Sequence, residues 1–171
     1  MELNLSPILN FDGKKMEIRE EVALPPSEND SFSLKNPVCF EGYAQNISGT
    51  IELIGKASAT VILTCDRCTE SFDATIDFEI DERLKKEDLF SENDDPDIIT
   101  FSGTSVDFDE IIYTNLYMNL PSKNLCNDNC KGLCPVCGAN LNEGECGCNR
   151  EYIDPRLEKL AEIMKNMSDT E

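Results

Sequence analysis

The sequence predicts an α+β protein: an antiparallel β-rich domain with a long hairpin, one or two helices, and a cysteine-rich C-terminal segment. Two observations carry this prediction. Apolar and polar residues alternate over most of positions 50–81, and six cysteines are concentrated within positions 126–148. Sustained alternation is typical of β-strands, and clustered cysteines are typical of a small metal-stabilised module. The predicted divisions are a β-rich domain at 1–122, a cysteine-rich segment at 123–150 and a C-terminal helix at 151–171.

The hairpin is predicted by two apolar patterns of opposite parity. From Ile51 to Leu63 the odd positions are mainly apolar, whereas from Phe72 to Ile80 the even positions are apolar. A period of two indicates a strand with one buried face. Because only a short polar segment separates the two runs, we expect an antiparallel hairpin with Cys65-Asp66-Arg67-Cys68 at its tip.

Shorter patterns predict the remaining elements. A helix capped by Asp107 or Asp109 is expected to end at Pro121, and Asp154-Pro155 has the residues that begin the C-terminal helix. Residues 27–37 are expected to form a polar loop. Strands are expected at Leu3–Leu9, Met16–Leu24, Val38–Gln45 and Asp97–Phe101.

Charge limits the classes of partner. The 171 residues include 15 Lys and Arg against 34 Asp and Glu, a net charge of −19. Such a surface repels nucleic acid and anionic membranes at long range and attracts basic proteins. Residues 79–97 hold nine acidic and three basic side chains and are predicted to be a solvated loop or ragged helix. The alternative is that this acidic stretch is a docking surface for a basic partner.

Histidine is absent from the chain, which excludes Ser-His and Cys-His nucleophilic machinery and leaves thiolates and carboxylates as metal ligands. The N-terminal residues lack the basic and apolar regions of a signal peptide, and no apolar run approaches the roughly 20 residues of a membrane span. We therefore expect a cytoplasmic protein without membrane association. In that compartment clustered cysteines indicate metal binding rather than disulfides.

The cysteine-rich block predicts a zinc-ribbon-like site. Cys134-Pro135-Val136-Cys137-Gly138 is typical of a zinc knuckle, because a tight turn directs both thiolates at one ion and Gly138 permits a positive φ. We expect one zinc ion, which is favoured over an iron–sulfur cluster because no other feature indicates electron transfer. Spacing does not decide which four cysteines bind it, although Cys134 and Cys137 come first among the six candidates: Cys126, Cys130, Cys134, Cys137, Cys146 and Cys148.

The Cys65/Cys68 pair at the hairpin tip has three interpretations. A structural or docking turn without metal is favoured. A redox pair is the second, although such pairs usually lie at a helix N-terminus, where the dipole lowers the thiol pKa. The third is that the pair shares a metal with the C-terminal cysteines. Arg67 is expected to be exposed and able to contact a phosphate or carboxylate. Cys39, alone in its strand, is expected in the core.

In order and spacing these motifs resemble the YceD family, the large-subunit ribosomal RNA accumulation proteins. The matching stretches run from Cys65 to Phe72, from Cys126 to Cys148 and from Asp154 to Leu157. The resemblance implies that the hairpin turn, with Cys65, Arg67 and Cys68, is the shared functional feature. It implies that the zinc site is an accessory of one branch, because the cysteine-rich block is absent from proteobacterial relatives.

The resemblance also implies a role in producing or accumulating large-subunit (23S) ribosomal RNA, without a known catalytic activity. We therefore expect a non-enzymatic ribosome biogenesis factor that binds a basic ribosomal protein or a pre-large-subunit particle. Electrostatics favours such a chaperone over direct rRNA contact, which remains an alternative. Two further alternatives are a thiol–disulfide oxidoreductase using Cys65 and Cys68 and a zinc-ribbon adaptor unrelated to the ribosome. No small-molecule substrate is expected.

Overall fold

A computed structural model describes residues 1–25, 32–91 and 94–149, and the predicted helix at 151–171 lies outside these residues. The described chain forms two compact units. The first consists of residues 1–65 and 70–126, and the second of residues 66–69 together with the described chain from 127 onward. The elements are β1 (Glu2–Asn4), α1 (Ser6–Leu9), β2 (Lys15–Val22), β3 (Phe32–Leu34), β4 (Val38–Ile47), β5 (Thr50–Thr64), β6 (Ser71–Lys86), a 3₁₀ turn (Glu87–Leu89), β7 (Ile99–Phe101), β8 (Ser105–Asp107) and α2 (Phe108–Met118).

The first unit contains a six-stranded sheet in the order β2-β4-β5-β6-β7, in which β3 also pairs with β5. Strands β5 and β6 form the predicted hairpin, with antiparallel pairing from Thr50 opposite Lys85 to Thr64 opposite Ser71. The Cys65 amide donates to the Glu70 carbonyl at 2.9 Å and closes the tip. The predicted α+β class with a long hairpin is therefore confirmed.

The core of the first unit follows the alternation of the hairpin. The odd residues of β5 from Ile51 to Leu63, apart from Gly55, are buried, as the sequence predicts, and they belong to one hydrophobic cluster with residues of β6 and α2. Helix α2 begins after Asp107, whose carboxylate accepts the amides of Asp109 and Glu110, so the predicted cap is confirmed. The fully buried large side chains include Ile51, Leu53, Leu63, Ile80, Leu84, Phe108, Ile112 and Leu116.

A pair of glycines makes room for an aromatic ring in this core. Gly42 in β4 lies directly opposite Gly55 in β5. A methyl group at Gly55 would lie 2.5 Å from the Phe40 ring, and one at Gly42 would lie 2.7 Å from it. The ring therefore rests against bare backbone, and it also meets Phe108 edge-on at a centroid distance of 5.2 Å.

Three expectations about secondary structure are wrong. Of the predicted strand Leu3–Leu9, only Leu3 and Asn4 are extended, and Ser6–Leu9 is a short helix because Pro7 suits a first helical turn. The expected loop at 27–37 contains β3, which pairs with the tip end of β5. The acidic stretch from 79 begins within strand β6, which continues to Lys86.

The expected core position of Cys39 is also wrong, because the side chain is exposed. Strand β4 turns Val38 and Phe40 inward, so alternation places Cys39 on the opposite face. Among the described residues, no helix is long and apolar enough to cross a membrane.

Candidate metal centres

Eight of the nine cysteines assemble into two groups of four. Within each group the four sulfur atoms all lie within 4.8 Å of one another, and no disulfide joins them. Four thiolates are the usual donor set of a tetrahedral site, so each group can hold a metal ion. The hairpin group consists of Cys65, Cys68, Cys126 and Cys130, and the C-terminal group consists of Cys134, Cys137, Cys146 and Cys148.

This arrangement differs from the single site expected from six cysteines. It assigns each of the six candidates to one group or the other, and it places the Cys65/Cys68 pair with Cys126 and Cys130. The favoured interpretation of the pair, a structural or docking turn without metal, stays a prediction, and the placement is in line with the third interpretation, in which the pair shares a metal with C-terminal cysteines. Nothing in the spacing of Cys65 and Cys68 could have identified partners about 60 residues further along the chain.

The C-terminal group is built on the predicted knuckle. The Gly138 amide donates to the Cys134 carbonyl at 2.9 Å, and Gly138 has a φ of 75°. Gly147, between the other two cysteines of the group, also takes a positive φ of 68°. Both conformations favour glycine, and both reverse the chain so that neighbouring sulfurs face one point. The Cys134 amide donates to Ala139 O at 2.8 Å and fixes the base of the knuckle.

The thiols of the C-terminal group differ in acidity. Backbone amides of Cys137 and Val136 donate to the Cys134 sulfur and lower the pKa of that thiol to about 6. The Cys148 thiol donates to the sulfurs of Cys137 and Cys146, and these hydrogen bonds, together with burial, raise the pKa of Cys148 to about 12. The Cys134 thiol therefore loses its proton more readily than the Cys148 thiol. Metal uptake by this group must release protons.

The hairpin group is the more enclosed of the two. The side chains of Cys65, Cys68 and Cys130 are only 1–5% exposed. Asn142 donates its side-chain amide to the Cys130 sulfur at 3.3 Å, and its side-chain oxygen accepts the Lys131 amide at 2.8 Å. A neutral amide donor of this kind stabilises a metal-bound thiolate and orients it. Sequence reasoning missed Asn142, because asparagine in a polar turn gives no signal of its own.

Arg67 contacts protein backbone within the second unit. Its side chain is exposed, as expected, but its Nη1 donates to the Cys130 carbonyl at 2.9 Å. The Arg67 carbonyl in turn accepts the Leu133 amide at 3.0 Å. Gly132 permits this approach, since a methyl group there would lie 3.0 Å from the Arg67 carbonyl oxygen. Arg67 therefore helps to hold the loop around Cys130, and its contact with an anion remains a prediction.

Basic residues of the acidic stretch, residues 79–97, form ion pairs with acidic residues of the same stretch. Arg83 pairs with Asp95 at 2.7 Å, and Lys85 pairs with Asp94 at 2.8 Å. The hydrogen bond from Lys85 and the Ser91 amide lower the pKa of Asp94 below its usual value. Two of the three basic side chains of residues 79–97 are therefore paired with acids of the same stretch, so little positive charge is left to repel a basic partner.

Comparison with known proteins shows that this chain matches a family model. The family model of the large ribosomal RNA subunit accumulation protein YceD matches residues 53–164. Uncharacterized proteins of Mycobacterium tuberculosis and Mycobacterium bovis are 27% identical over 128 residues, covering 74% of this chain and 61% of each relative. The chain thus spans about three fifths of the length of these relatives.

The Arabidopsis thaliana chloroplast protein named large ribosomal RNA subunit accumulation protein YCED homolog 1 is 32% identical over 66 residues. This alignment covers 39% of this chain and 21% of that protein. No solved structure matches. Because the family model covers more than half of the chain and includes the hairpin tip and all eight grouped cysteines, the chain belongs to the YceD family of large ribosomal RNA subunit accumulation proteins.

Proposed function

We propose that this protein is a non-enzymatic ribosome biogenesis factor that supports the accumulation of large-subunit ribosomal RNA. The observation that carries the proposal is the family match over residues 53–164, which includes the hairpin tip and both cysteine groups. In this proposal the protein acts by binding a basic ribosomal protein or a pre-large-subunit particle, and a zinc ion stabilises the C-terminal segment.

Zinc is proposed for the C-terminal group, Cys134, Cys137, Cys146 and Cys148. An all-thiolate donor set selects soft metals, of which zinc and iron–sulfur clusters are the common occupants. Zinc is the better fit, because no second redox cofactor signature occurs in the sequence. The ion would have a structural role, since four protein ligands leave no open coordination position for a substrate.

The burial of Cys65 and Cys68 supports a non-enzymatic role over an oxidoreductase. Both side chains are at most 2% exposed. A thiol that exchanges with substrate disulfides must reach the attacked sulfur, so redox-active cysteines are at least partly accessible.

The proposed partner is basic, so its binding should weaken with salt. We expect the affinity for a purified basic large-subunit ribosomal protein to fall at least tenfold between 0.1 M and 1 M salt, because the Debye length shrinks from ~10 Å to ~3 Å. Glu87→Gln with Asp88→Asn, two exposed acids after β6, should weaken binding further at low salt. Glu17→Gln with Glu20→Gln, which neutralises two exposed acids on β2, is the matched control. Isothermal titration calorimetry measures the affinity of the wild type at both salt concentrations and of the two variants at low salt.

Tight binding to naked 23S rRNA, with no binding to basic ribosomal proteins, would contradict this partner and favour the direct-contact alternative.

The proposed function predicts that Arg67→Ala impairs rRNA accumulation without unfolding the protein. In cells lacking the gene, wild type should restore the ratio of large- to small-subunit rRNA, whereas Arg67→Ala should leave it several-fold low. The variant should still fold, because it loses one hydrogen bond worth about 1 kcal/mol. Arg19→Ala, which removes an exposed ion pair with Glu41, is the matched control. Quantitative RNA measurement with zinc analysis of each purified variant gives the result, and full rescue by Arg67→Ala would show that the guanidinium has no role beyond the Cys130 contact.

A further inference from the structure

We infer that the outer edge of strand β6 is a docking edge, to which an extended segment of a partner protein, rich in lysine or arginine, adds a further strand. The docking edge runs from Asp73 to Asp81 and lies wholly in the first unit. The choice of a basic partner rests on the proposed function, which the inference deepens by naming where the partner binds and in which conformation.

The outer edge of β6 is unpaired over most of its length. On this side β6 is bordered by β7, which pairs only with Leu84, Lys85 and Lys86. Among the described residues, no strand pairs with the outer side of β6 from 71 to 83. The pairing with β7 shows that this edge accepts a strand, and thirteen positions remain open against the three that β7 covers.

Backbone hydrogen bonds show which residues of β6 face the docking edge. The Cys65 amide donates to the Glu70 carbonyl on the β6 side of β5, and the Lys35 amide donates to the Thr60 carbonyl on the β3 side. Odd residues of β5 therefore bond to β6, whereas even residues bond away from it. Because the register pairs odd residues of β5 with even residues of β6, the odd residues of β6 direct their amides and carbonyls outward. Within the docking edge these are Asp73, Thr75, Asp77, Glu79 and Asp81.

Residues 71–83 lack the usual devices that keep a sheet edge from pairing. Proteins protect such edges with short strands, bulges, proline or lysine. The pairing of β6 with β5 is continuous from Ser71 to Lys85 without a bulge, and residues 71–83 contain neither proline nor lysine. The odd residues of this range are all exposed, so the described chain leaves the docking edge accessible. A long, regular and accessible edge suits the addition of a strand from a partner.

Charge along the docking edge favours a basic segment. Residues 71–82 contain five acids and no basic residue, and four of the five acids are odd residues on one exposed face. Lys35 pairs with Asp73, and Lys56 pairs with Glu79. The side chains of both pairs are at least half exposed, so cations of a partner can replace these lysines at little cost.

The same charge disfavours other occupants and the other edge of the sheet. Pairing the docking edges of two copies would set like charges opposite one another, which destabilises a pair of strands. Nucleic acid would be repelled. The opposite edge strand, β2, carries Lys15 and Arg19 among its three acids, so it attracts a basic segment less strongly.

Hydrogen exchange with a synthetic peptide tests the inference. The probe is a peptide matched in length to the docking edge, in which lysine alternates with valine or threonine. In the free protein, the outward amides of Thr75 and Asp77 should exchange rapidly, whereas the ladder amides of Ile76 and Phe78 should be protected. The peptide should slow exchange of the outward amides at least about tenfold and leave the ladder amides unchanged. Binding without added protection of the outward amides would overturn the inference.

Variants of the protein separate strand addition from charge attraction. Thr75→Pro removes one outward amide without changing charge or breaking the β5 ladder, so it should weaken peptide binding about tenfold, whereas Thr75→Val should change it less than about twofold. Asp77→Asn with Asp81→Asn should weaken binding about fivefold. Glu17→Gln with Glu20→Gln on β2 is the matched control. Isothermal titration calorimetry at low salt measures each affinity, and equal losses for Thr75→Pro and Thr75→Val would contradict strand addition.

An N-methylated form of the peptide keeps the test decisive if Thr75→Pro fails to fold. Methylation of every backbone amide removes the donors that a strand beside β6 needs, while every lysine charge remains, so the affinity should fall at least about tenfold. Equal affinity of the two peptides, or no binding of the unmodified peptide, would overturn the inference. These measurements involve neither a ribosomal protein nor rRNA, so failure of the proposed function would leave them unchanged.

Discussion

Replacing Cys134 by serine is expected to unfold the described part of the second unit from residue 127 while the sheet of the first unit stays folded. The reason is that the two units differ in how many apolar side chains they bury. Among the described residues of the second unit, the buried apolar side chains are Cys68, Cys130, Cys134 and Leu141, so one leucine remains when the cysteines are set aside. Structural zinc supplies ~10–16 kcal/mol of apparent binding free energy to such segments.

The first unit is not expected to depend on the proposed zinc in this way. Its cluster of 24 buried apolar residues lies entirely within residues 1–65 and 70–126. Burying an apolar side chain contributes about 1.5–3 kcal/mol, so a cluster of this size supports an independent fold. Chelation of the metal should therefore produce the same partial unfolding as Cys134→Ser.

Hydrogen–deuterium exchange measures this difference directly. The amides of Cys134, Gly138 and Leu141 donate backbone hydrogen bonds in the second unit and should lose protection. Amides of the β5–β6 ladder should keep it. Cys39→Ser is the control for loss of a thiol without loss of a ligand group. Unchanged protection at Cys134, Gly138 and Leu141 after chelation would mean that the segment folds without metal.

The parts of the fold that depend on local pattern could be predicted from the sequence. The β5–β6 hairpin follows from apolar alternation, because a strand with one buried face needs an apolar residue only at every second position. The helix cap at Asp107 follows from its side-chain chemistry, and the positive φ of Gly138 follows from the knuckle. These features are determined by residues within a few positions of one another.

The continuation of β6 was obscured by its charges. From Glu79 the buried Ile80 and Leu84 share one face of the strand with the half-buried Glu82, while Glu79, Asp81 and Arg83 are exposed on the opposite face. Lys56 on β5 pairs with Glu79 at 3.1 Å across this face. A count of acidic residues therefore indicates a loop, whereas the alternation of Ile80 and Leu84 indicates a strand. The hydrophobic positions give the better prediction, because they make the contacts that order the chain.

The composition of the two cysteine groups could not be predicted, because it depends on contacts distant in sequence. Cys65 and Cys68 belong to a hairpin that is complete before Cys126 is reached. Thr69 after Cys68 has a positive φ of 61°, like Gly138 after Cys137, and a threonine gives no signal of this conformation in the sequence.

The second large effect is expected in the sheet, where Gly42→Ala should lower the free energy of unfolding by about 3 kcal/mol or more. A methyl group at Gly42 would lie 2.3 Å from the carbonyl oxygen of Ile54 and 2.6 Å from the Cα of Gly55. Both are backbone atoms of the paired strand, so no side-chain rotation relieves the overlap. Strands β4 and β5 would have to separate at the centre of the sheet, which breaks ladder hydrogen bonds and moves Phe40 off its glycine platform.

Gly13→Ala is the matched control, because a methyl group there meets no atom within 4 Å, although φ is 75°. Its cost is therefore conformational and should be about 1 kcal/mol. Thermal unfolding followed by circular dichroism should show a loss of about 10 °C for Gly42→Ala and about 3 °C for Gly13→Ala. Equal losses would mean that the strands yield around an added methyl group. In that case the close packing of Phe40 against the glycine pair would not be what holds β4 and β5 together, and the stability of the sheet would have to come from its larger apolar side chains.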